Sequence, residues 1–390
     1  MDSVLFPLGI LAAAFVGFNI GGSSTGVAWG PSVGANIISK SMAALVMVFF
    51  AFLGGWTVGR NVTETLGSEL VQQTAFSIEA SIIVLLYIGI GMLVANIYGV
   101  PISTSMTAVG AIAGLGFATD SLNWSAIGEI VAWWLIAPII GFWCGGVVGR
   151  YLYPYLNQFF EIQQSDGPLV TIDTTSTVPT VALGPGTSPR ELVSTVIAFV
   201  IACYMSFSAG ASNVANAVAP LVGGGIINPD WAVVLGALAI GLGAFTIARR
   251  TMESVGNGLT ELPLLAATVV MVIAASITTF ASLLGNPISL ALSTVMTIVG
   301  LGWGRASRTT TAIDLARGKV KGSVSVNAVM IEETDEVVRI GEESNENHRA
   351  AGELFDPAAV VKYVIFWIIS PSVATFFSYL TFKFLPITMT

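Results

Sequence analysis

The chain has 390 residues, of which 54% are hydrophobic and 10% are charged, and its formal net charge is −8. Soluble domains carry about 25% charged residues, so the composition excludes an ordinary soluble protein and predicts an all-α polytopic membrane protein. The single histidine, His348, lies in a charged loop, which leaves no Ser-His-Asp triad or zinc site within the membrane. We therefore expect neither an enzyme nor a cofactor, and no nucleic-acid partner.

Apolar windows of about 20 residues, long enough to cross a bilayer, follow one another along the chain. They lie near residues 4–18, 41–58, 78–98, 125–148, 192–207, 231–248, 264–284 and 358–381. The N-terminus has no basic region before its first window, so we expect no cleavable signal peptide. This pattern predicts a multi-pass protein of the cell (plasma) membrane.

Two polar stretches, residues 18–34 and 207–223, bring Gly, Ser, Asn and Pro to membrane depth. At one constant spacing, Gly21 aligns with Gly210, Ala28 with Ala217, and Pro31 with Pro220. An uncovered backbone group in lipid costs several kcal/mol, so a broken helix at this depth must face protein or a water-filled cavity. We therefore expect both helices to break here, and we interpret the breaks as a site.

Three further motifs recur in the same order. Arg60–Gly67 pairs with Arg249–Gly256, Val100–Ser103 with Asn286–Ser289, and Trp134–Pro138 with Trp367–Pro371. The chain is therefore predicted to contain a first transmembrane repeat at 1–150 and a second at 190–390, joined by a linker loop at 151–189 that is rich in Thr, Ser, Pro and Gly. Inverted-topology repeats with broken helices and re-entrant hairpins are typical of secondary transporters.

The second half carries a charged insertion at about 305–356, with seven Lys or Arg residues from Arg305 to Arg349. Basic residues favour the cytoplasmic side, although the rule applies strictly to short loops. If the halves are inverted, the linker and the insertion share one side of the membrane and the termini share the other. We predict a cytoplasmic linker and insertion, with both termini outside.

The polar side chains of these motifs suit a small anion. Freed backbone N–H groups at helix breaks present positive dipole ends, and no aromatic cage for an organic substrate accompanies them. Small residues such as Gly22 and Ala211 are better explained by close helix packing. The candidate substrate-binding residues are Ser23, Ser24, Ser103, Thr104, Ser105, Ser212, Asn213, Asn216 and Ser289.

Two glutamates, Glu64 and Glu253, each follow an arginine, Arg60 or Arg249, by four residues. This spacing places both side chains on one helix face and permits a local ion pair. A solvated interfacial pair is the alternative, but recurrence in both halves favours a coupling or gating role. Either glutamate could also take up a proton if it were desolvated.

These paired motifs resemble the inorganic phosphate transporter (PiT) family, whose halves each carry a G-A-N-D-V-A-N-A stretch and a P-V-S-T-T-H stretch. The best matches are Gly210–Ala217, Arg249–Gly258 and Pro101–Ser105. The resemblance covers nearly all of both halves, apart from the linker and the insertion. It implies an inverted-repeat fold, cation-coupled uptake, and an oxyanion held between the two broken-helix motifs and the two Ser-containing hairpins.

The chain also departs from the family pattern. Ser23-Ser24 and Ser212-Asn213 stand where the family has Asn-Asp, and Met106 stands at the family's histidine. The first half is more similar to the sulfate permeases of the same superfamily. Phosphate still carries protons to donate to a carboxylate, whereas ionised sulfate needs donors alone. The missing aspartates thus favour sulfate, family membership favours phosphate, and the balance lies slightly with phosphate.

The loss of two carboxylates also bears on coupling, because it removes hard oxygen ligands for sodium. Sodium could still bind near Asn19, Asn213 and Asn216, and the paired glutamates offer a proton-coupled route. We expect a secondary active transporter that imports a tetrahedral inorganic oxyanion by alternating access. The alternatives are a sulfate permease of the same fold, an uncoupled anion channel, and a scaffold or receptor. Expected partners are phosphate or sulfate and the lipid bilayer, and a homodimer is also considered.

Overall fold

A computed structural model describes residues 2–98, 103–160, 170–173, 180–184, 187–250, 252, 264–309 and 357–385. The first half contains α1 (Asp2–Gly34), α2 (Lys40–Thr57), α3 (Gly59–Glu64), a π-helical segment (Thr65–Glu69), a 3-10 turn (Gln73–Ala75), α4 (Ile78–Tyr98), α5 (Thr104–Ala118) and α6 (Trp124–Val147). A second π-helical segment, Val148–Leu152, follows α6 and leads into α7 (Tyr153–Phe159).

The region expected as a linker loop contains α7 and an antiparallel hairpin of β1 (Val170–Asp173) and β2 (Thr180–Leu183). The second half contains α8 (Pro189–Gly223), α9 (Pro229–Phe245), α10 (Leu264–Leu283), α11 (Leu290–Ala306), a 3-10 turn (Ser307–Thr309) and α12 (Pro357–Phe384). Five helices of the described residues are long and apolar enough to cross a membrane. The expected all-α fold of a multi-pass membrane protein is confirmed. Most of the charged insertion lies outside the described residues.

Both polar stretches lie inside uninterrupted helices, so the prediction that the chain breaks at 18–34 and 207–223 is wrong. α1 runs for 33 residues and α8 for 35 residues. Pro31 and Pro220 fall in the last turn of each helix, so the hydrogen bond that each proline lacks, to the residue four positions earlier, is lost only near the C-terminal end of the helix. The helical chain instead turns back between α10 and α11, at Gly285, whose φ of +79° favours glycine. α4 and α5 form the corresponding hairpin of the first half.

Glycines allow α1 to cross α9, and α2 to cross α8, with their backbones in contact. A Cβ at Gly21 would lie 1.9 Å from the carbonyl oxygen of Ile240, and one at Gly210 would lie 2.1 Å from the carbonyl oxygen of Ala51. The spacing that relates Gly21 to Gly210 also relates Ala51 to Ile240. The two crossings are therefore repeat-related: the contact of α1 with α9 recurs, with the halves exchanged, as the contact of α8 with α2.

The repeat-related helices α2 and α9 pack against each other and run in opposite directions. Ser41, at the start of α2, contacts Arg249, which follows the end of α9. Arg60, which follows the end of α2, contacts Asp230 at the start of α9. Because one helix is the counterpart of the other, antiparallel packing means that the halves are inverted. Contact between the halves continues elsewhere, because α5 of the first half packs on α12 of the second, and α6 packs on α11.

Gly54→Ala tests the close crossing of α2 and α8. An added Cβ would lie 1.9 Å from the carbonyl oxygen of Phe207, and overpacking of this kind costs about 1–3 kcal/mol. The matched control is Gly128→Ala, which adds the same methyl group to α6 with nothing within 4 Å. In thermal unfolding of the detergent-purified protein, we expect only Gly54→Ala to lower the melting temperature. Equal melting temperatures for the two variants would contradict the crossing.

Candidate functional site

Two buried serines cap the N-termini of α5 and α11. The Ser103 hydroxyl oxygen accepts a hydrogen bond from the Met106 N–H at 3.2 Å, and that of Ser289 accepts one from Leu292 at 3.1 Å. Ser103 is 1% exposed and Ser289 is 5% exposed. Neither hydroxyl donates a hydrogen bond to an acceptor in the described part of the chain. Each cap therefore retains a buried donor beside the positive end of a helix dipole.

The first turns of α5 and α11 meet against the middle of α8. The hydroxyls of Ser105 on α5 and Ser212 on α8 both donate to the carbonyl oxygen of Ile288, at 3.1 and 2.9 Å. The two hydroxyl oxygens are 3.4 Å apart. Beside them, Met106 and Leu292 belong to one buried apolar cluster. Residues from the two hairpins are thus joined at a single point.

Two amides extend this cluster from α8 to α1. The Asn216 side-chain N–H₂ donates to the Ser105 hydroxyl oxygen at 3.1 Å and to Asn213 Oδ1 at 3.2 Å. Asn213 Nδ2 in turn lies 3.5 Å from the Ser24 hydroxyl oxygen of α1. Asn216 Oδ1 is buried and has no hydrogen-bond partner among the described residues. An unsatisfied buried acceptor costs about 1–3 kcal/mol, and a ligand that donates to it or coordinates it would recover that cost.

We call these seven residues the central polar cluster: Ser24, Ser103, Ser105, Ser212, Asn213, Asn216 and Ser289. All were predicted from the sequence as substrate-binding residues. The other two candidates make different contacts. Ser23 donates to backbone carbonyls of its own helix, α1, and Thr104 donates to the Met92 sulfur at 3.3 Å.

The predicted sodium ligands do not form one group. Asn213 and Asn216 are hydrogen-bonded to each other, whereas Asn19 Oδ1 accepts a hydrogen bond from Asn96 of α4 at 3.2 Å. Asn96 was missed by the sequence analysis, although an amide inside the apolar window 78–98 is a usable signal. Over the described ranges, no three His, Cys, Asp or Glu side chains are grouped to hold a metal ion.

The tip of the second hairpin is held in place by the first half. Asn61 Nδ2 donates to the Leu283 carbonyl oxygen at 2.7 Å, and Trp134 Nε1 donates to the Pro287 carbonyl oxygen at 3.0 Å. Glu129 accepts a hydrogen bond from Asn286 at 2.9 Å. The repeated Trp-containing motif of the first half therefore fixes the loop that carries Ser289 into the cluster.

The predicted local ion pair of Arg60 with Glu64 is replaced by a longer-range contact. Arg60 forms a salt bridge of 2.6 Å with Asp230, which the sequence analysis missed. Glu64 lines a separate cavity of about 320 Å³ near the end of α8 and the start of α9. Arg249 donates to the Ser41 hydroxyl oxygen at 3.0 Å, and Glu253 lies outside the described residues. Arg60, Glu64 and Arg249 make no described contact with the central polar cluster.

Two inverted halves that enclose a buried polar cluster define the protein as a multi-pass membrane transporter. The chain belongs to the phosphate transporter family, whose family model matches residues 20–334. The sulfate permease CysP of Bacillus subtilis is 26% identical over 297 residues, which cover 76% of this chain and 77% of that protein. A provisionally named phosphate permease of Pyrococcus furiosus is also 26% identical, over 361 residues that cover 76% of this chain and 86% of the relative.

A solved structure described as the sodium-dependent phosphate transporter has the same fold. It superposes with a TM-score of 0.68, covers 97% of this chain and 98% of its own, and shares 21% sequence identity. The family and this neighbour are transporters rather than enzymes, in agreement with the sequence analysis. Both phosphate and sulfate occur among the named substrates of the relatives.

Ser289→Ala tests whether the cap also binds a ligand. Loss of an N-cap serine costs about 1 kcal/mol, so some destabilisation is expected in any case. Ser39→Ala is the matched control, because Ser39 caps α2 in the same way at an exposed position. In equilibrium binding of radiolabelled phosphate and sulfate to purified protein, we expect similar losses of stability but weaker oxyanion binding only for Ser289→Ala. Unchanged binding by Ser289→Ala would remove this residue from the site.

Proposed function

We propose that the protein imports a tetrahedral inorganic oxyanion by cation-coupled alternating access, with phosphate favoured over sulfate. The observation that carries this proposal is the composition of the central polar cluster. Among the described residues, no acceptor uses the hydroxyl donors of Ser103 and Ser289 and no donor uses Asn216 Oδ1, and all three groups are buried between the two inverted halves. A site enclosed at the interface of two repeats is the arrangement on which alternating access depends.

The donors support an anionic ligand. Two helix N-termini converge on the cluster, and the described members of the cluster include no carboxylate that would repel an anion. The free hydroxyls of the caps can each donate one hydrogen bond to an oxyanion oxygen. The cluster is formed by short polar side chains, which favours a small inorganic ion over an organic substrate.

The acceptor supports phosphate rather than sulfate. Hydrogen phosphate carries a P–OH group that can donate to Asn216 Oδ1, whereas sulfate at neutral pH has acceptor oxygens only. The sequence comparison suggested that loss of both family aspartates leaves a site with donors alone. Asn216 Oδ1 changes that argument, because it is a buried neutral acceptor with no hydrogen-bond partner in the described ranges.

Sodium is favoured as the coupling ion because the solved structure with the same fold is described as sodium-dependent. A proton route through Glu64 has less support, because this residue is exposed and lies in a different cavity. The outward orientation of the termini and a homodimer stay predictions.

Uptake of radiolabelled phosphate and sulfate into proteoliposomes tests the proposal. We expect phosphate uptake driven by a sodium gradient that excess sulfate inhibits weakly. Uphill uptake would exclude an uncoupled channel, and uptake by a protein lacking residues 310–350 would argue against a scaffold role for the insertion. Sulfate uptake resistant to excess phosphate, or flux that follows only the anion's own gradient, would contradict the proposed function.

Asn216→Ala tests the origin of the preference. A hydrogen bond involving a charged partner contributes about 1.5–3 kcal/mol, so the KM for phosphate should rise by about tenfold or more, with a smaller change in inhibition by sulfate. Asn213→Ala is the comparison, because its amide groups are already paired within the cluster. Asn213→Ala should weaken the binding of phosphate and of sulfate to a similar degree. If Asn216→Ala weakened phosphate uptake and inhibition by sulfate by the same factor, the proposed role of Asn216 Oδ1 would be contradicted.

A further inference from the structure

Two contacts between the halves occupy repeat-related positions but differ in charge. Arg60 and Arg249 are counterparts at the spacing that relates Gly21 to Gly210, and so are Ser41 and Asp230, their partners. Arg60 binds the carboxylate of Asp230, whereas Arg249 binds the neutral hydroxyl of Ser41. One structural contact is therefore built twice, once as an ion pair and once as a hydrogen bond to a neutral group.

The two contacts lie at opposite ends of the packed pair α2 and α9. α2 has 18 residues, which at 1.5 Å per residue gives a length of about 27 Å. This is close to the thickness of a bilayer's hydrocarbon core, about 30 Å. Each contact thus joins the two halves near one surface of the membrane.

The ionic contact is also the better supported of the two. Arg60 Nε donates to the Trp56 carbonyl oxygen at 2.8 Å, and the guanidinium lies 4.4 Å from the centre of the Trp56 ring. These contacts hold the guanidinium against Asp230 at 2.6 Å. Side-chain exposures of 40% for Arg60 and 55% for Asp230 mean that water screens the pair, so it can be broken and reformed during a transport cycle.

A cavity adjoins the ion pair beside the end of α8, the helix that carries Ser212, Asn213 and Asn216 of the central polar cluster. It is lined by Arg60 on α3, by Val222 and Gly223 at the end of α8, and by Val233 on α9. Asn216 precedes Val222 by six residues on α8, about 9 Å along the helix axis. Val233 is 2% exposed, so its side chain is shielded from bulk solvent in this conformation.

We propose that the Arg60–Asp230 ion pair is a latch that closes this end of the transporter, and that Arg249 with Ser41 forms a weaker latch at the opposite end. The difference between them sets which end is closed when no substrate is bound. The inference rests on the alternating access proposed above. It adds Asp230 and Ser41, which lie outside the central polar cluster, as residues that control the conformational equilibrium.

Cysteine accessibility measures the equilibrium directly. In full-length protein with Cys144 and Cys203 replaced by serine, Val233→Cys reports opening at the Asp230 end through its rate of reaction with a membrane-impermeant maleimide. Adding Asp230→Asn should raise this rate by about twofold to fivefold, the range expected for an exposed ion pair. Asp120→Asn is the charge-matched control, because Asp120 is exposed and its backbone φ of 54° suits asparagine.

A second variant separates a latch from local loosening. Ser41→Asp gives Arg249 a carboxylate partner at the opposite end of α2, about 27 Å away. This variant should favour closure at the Arg249 end and opening at the Asp230 end, where Val233→Cys reports it. A faster reaction in both Asp230→Asn and Ser41→Asp supports coupled latches, whereas no change in Ser41→Asp overturns them. The maleimide assay requires no transport. Absence of phosphate and sulfate uptake would therefore refute the proposed function alone, and unchanged labelling in a transporting protein would refute the latch alone.

Discussion

The architecture depends on contact between helix backbones at glycines of both halves. Gly21 lets α1 approach the Ile240 carbonyl of α9, and Gly210 lets α8 approach the Ala51 carbonyl of α2. A side chain at either glycine would hold the helices apart. Because each crossing joins one half to the other, the two halves are assembled in a fixed register. That register places Asn216 of α8 against Ser105 of α5, and it places Arg60 opposite Asp230.

The polar chemistry of the cluster follows from what a membrane interior tolerates. Backbone groups must be satisfied within the protein, so α1 and α8 continue through the stretches that contain Pro31 and Pro220. The free polar groups come instead from the serine caps of two short helices and from one amide oxygen. Donors at Ser103 and Ser289, with an acceptor at Asn216, form a site that can bind an anion and still distinguish a protonated oxyanion from an unprotonated one.

Much of this arrangement could be predicted from the sequence, because repetition carries information that single motifs lack. The repeat pairs Ser103 with Ser289, the family resemblance implied that each lies in a hairpin, and both are helix caps in the structure. The predicted breaks in α1 and α8 were wrong because glycine there permits close packing rather than a turn. The Asp230 partner of Arg60 could not be identified, since a contact between halves depends on the helix crossing and helical spacing reports only neighbours on one helix.

A structure of the purified protein bound to phosphate, determined in lipid nanodiscs, tests the central claim most directly. The account predicts density for one tetrahedral anion at the interface of the halves, with a phosphate oxygen at hydrogen-bond distance, about 2.6–3.2 Å, from Asn216 Oδ1 and others near the hydroxyls of Ser103 and Ser289. Density for phosphate only in the cavity beside Arg60, with the central polar cluster empty, would contradict it.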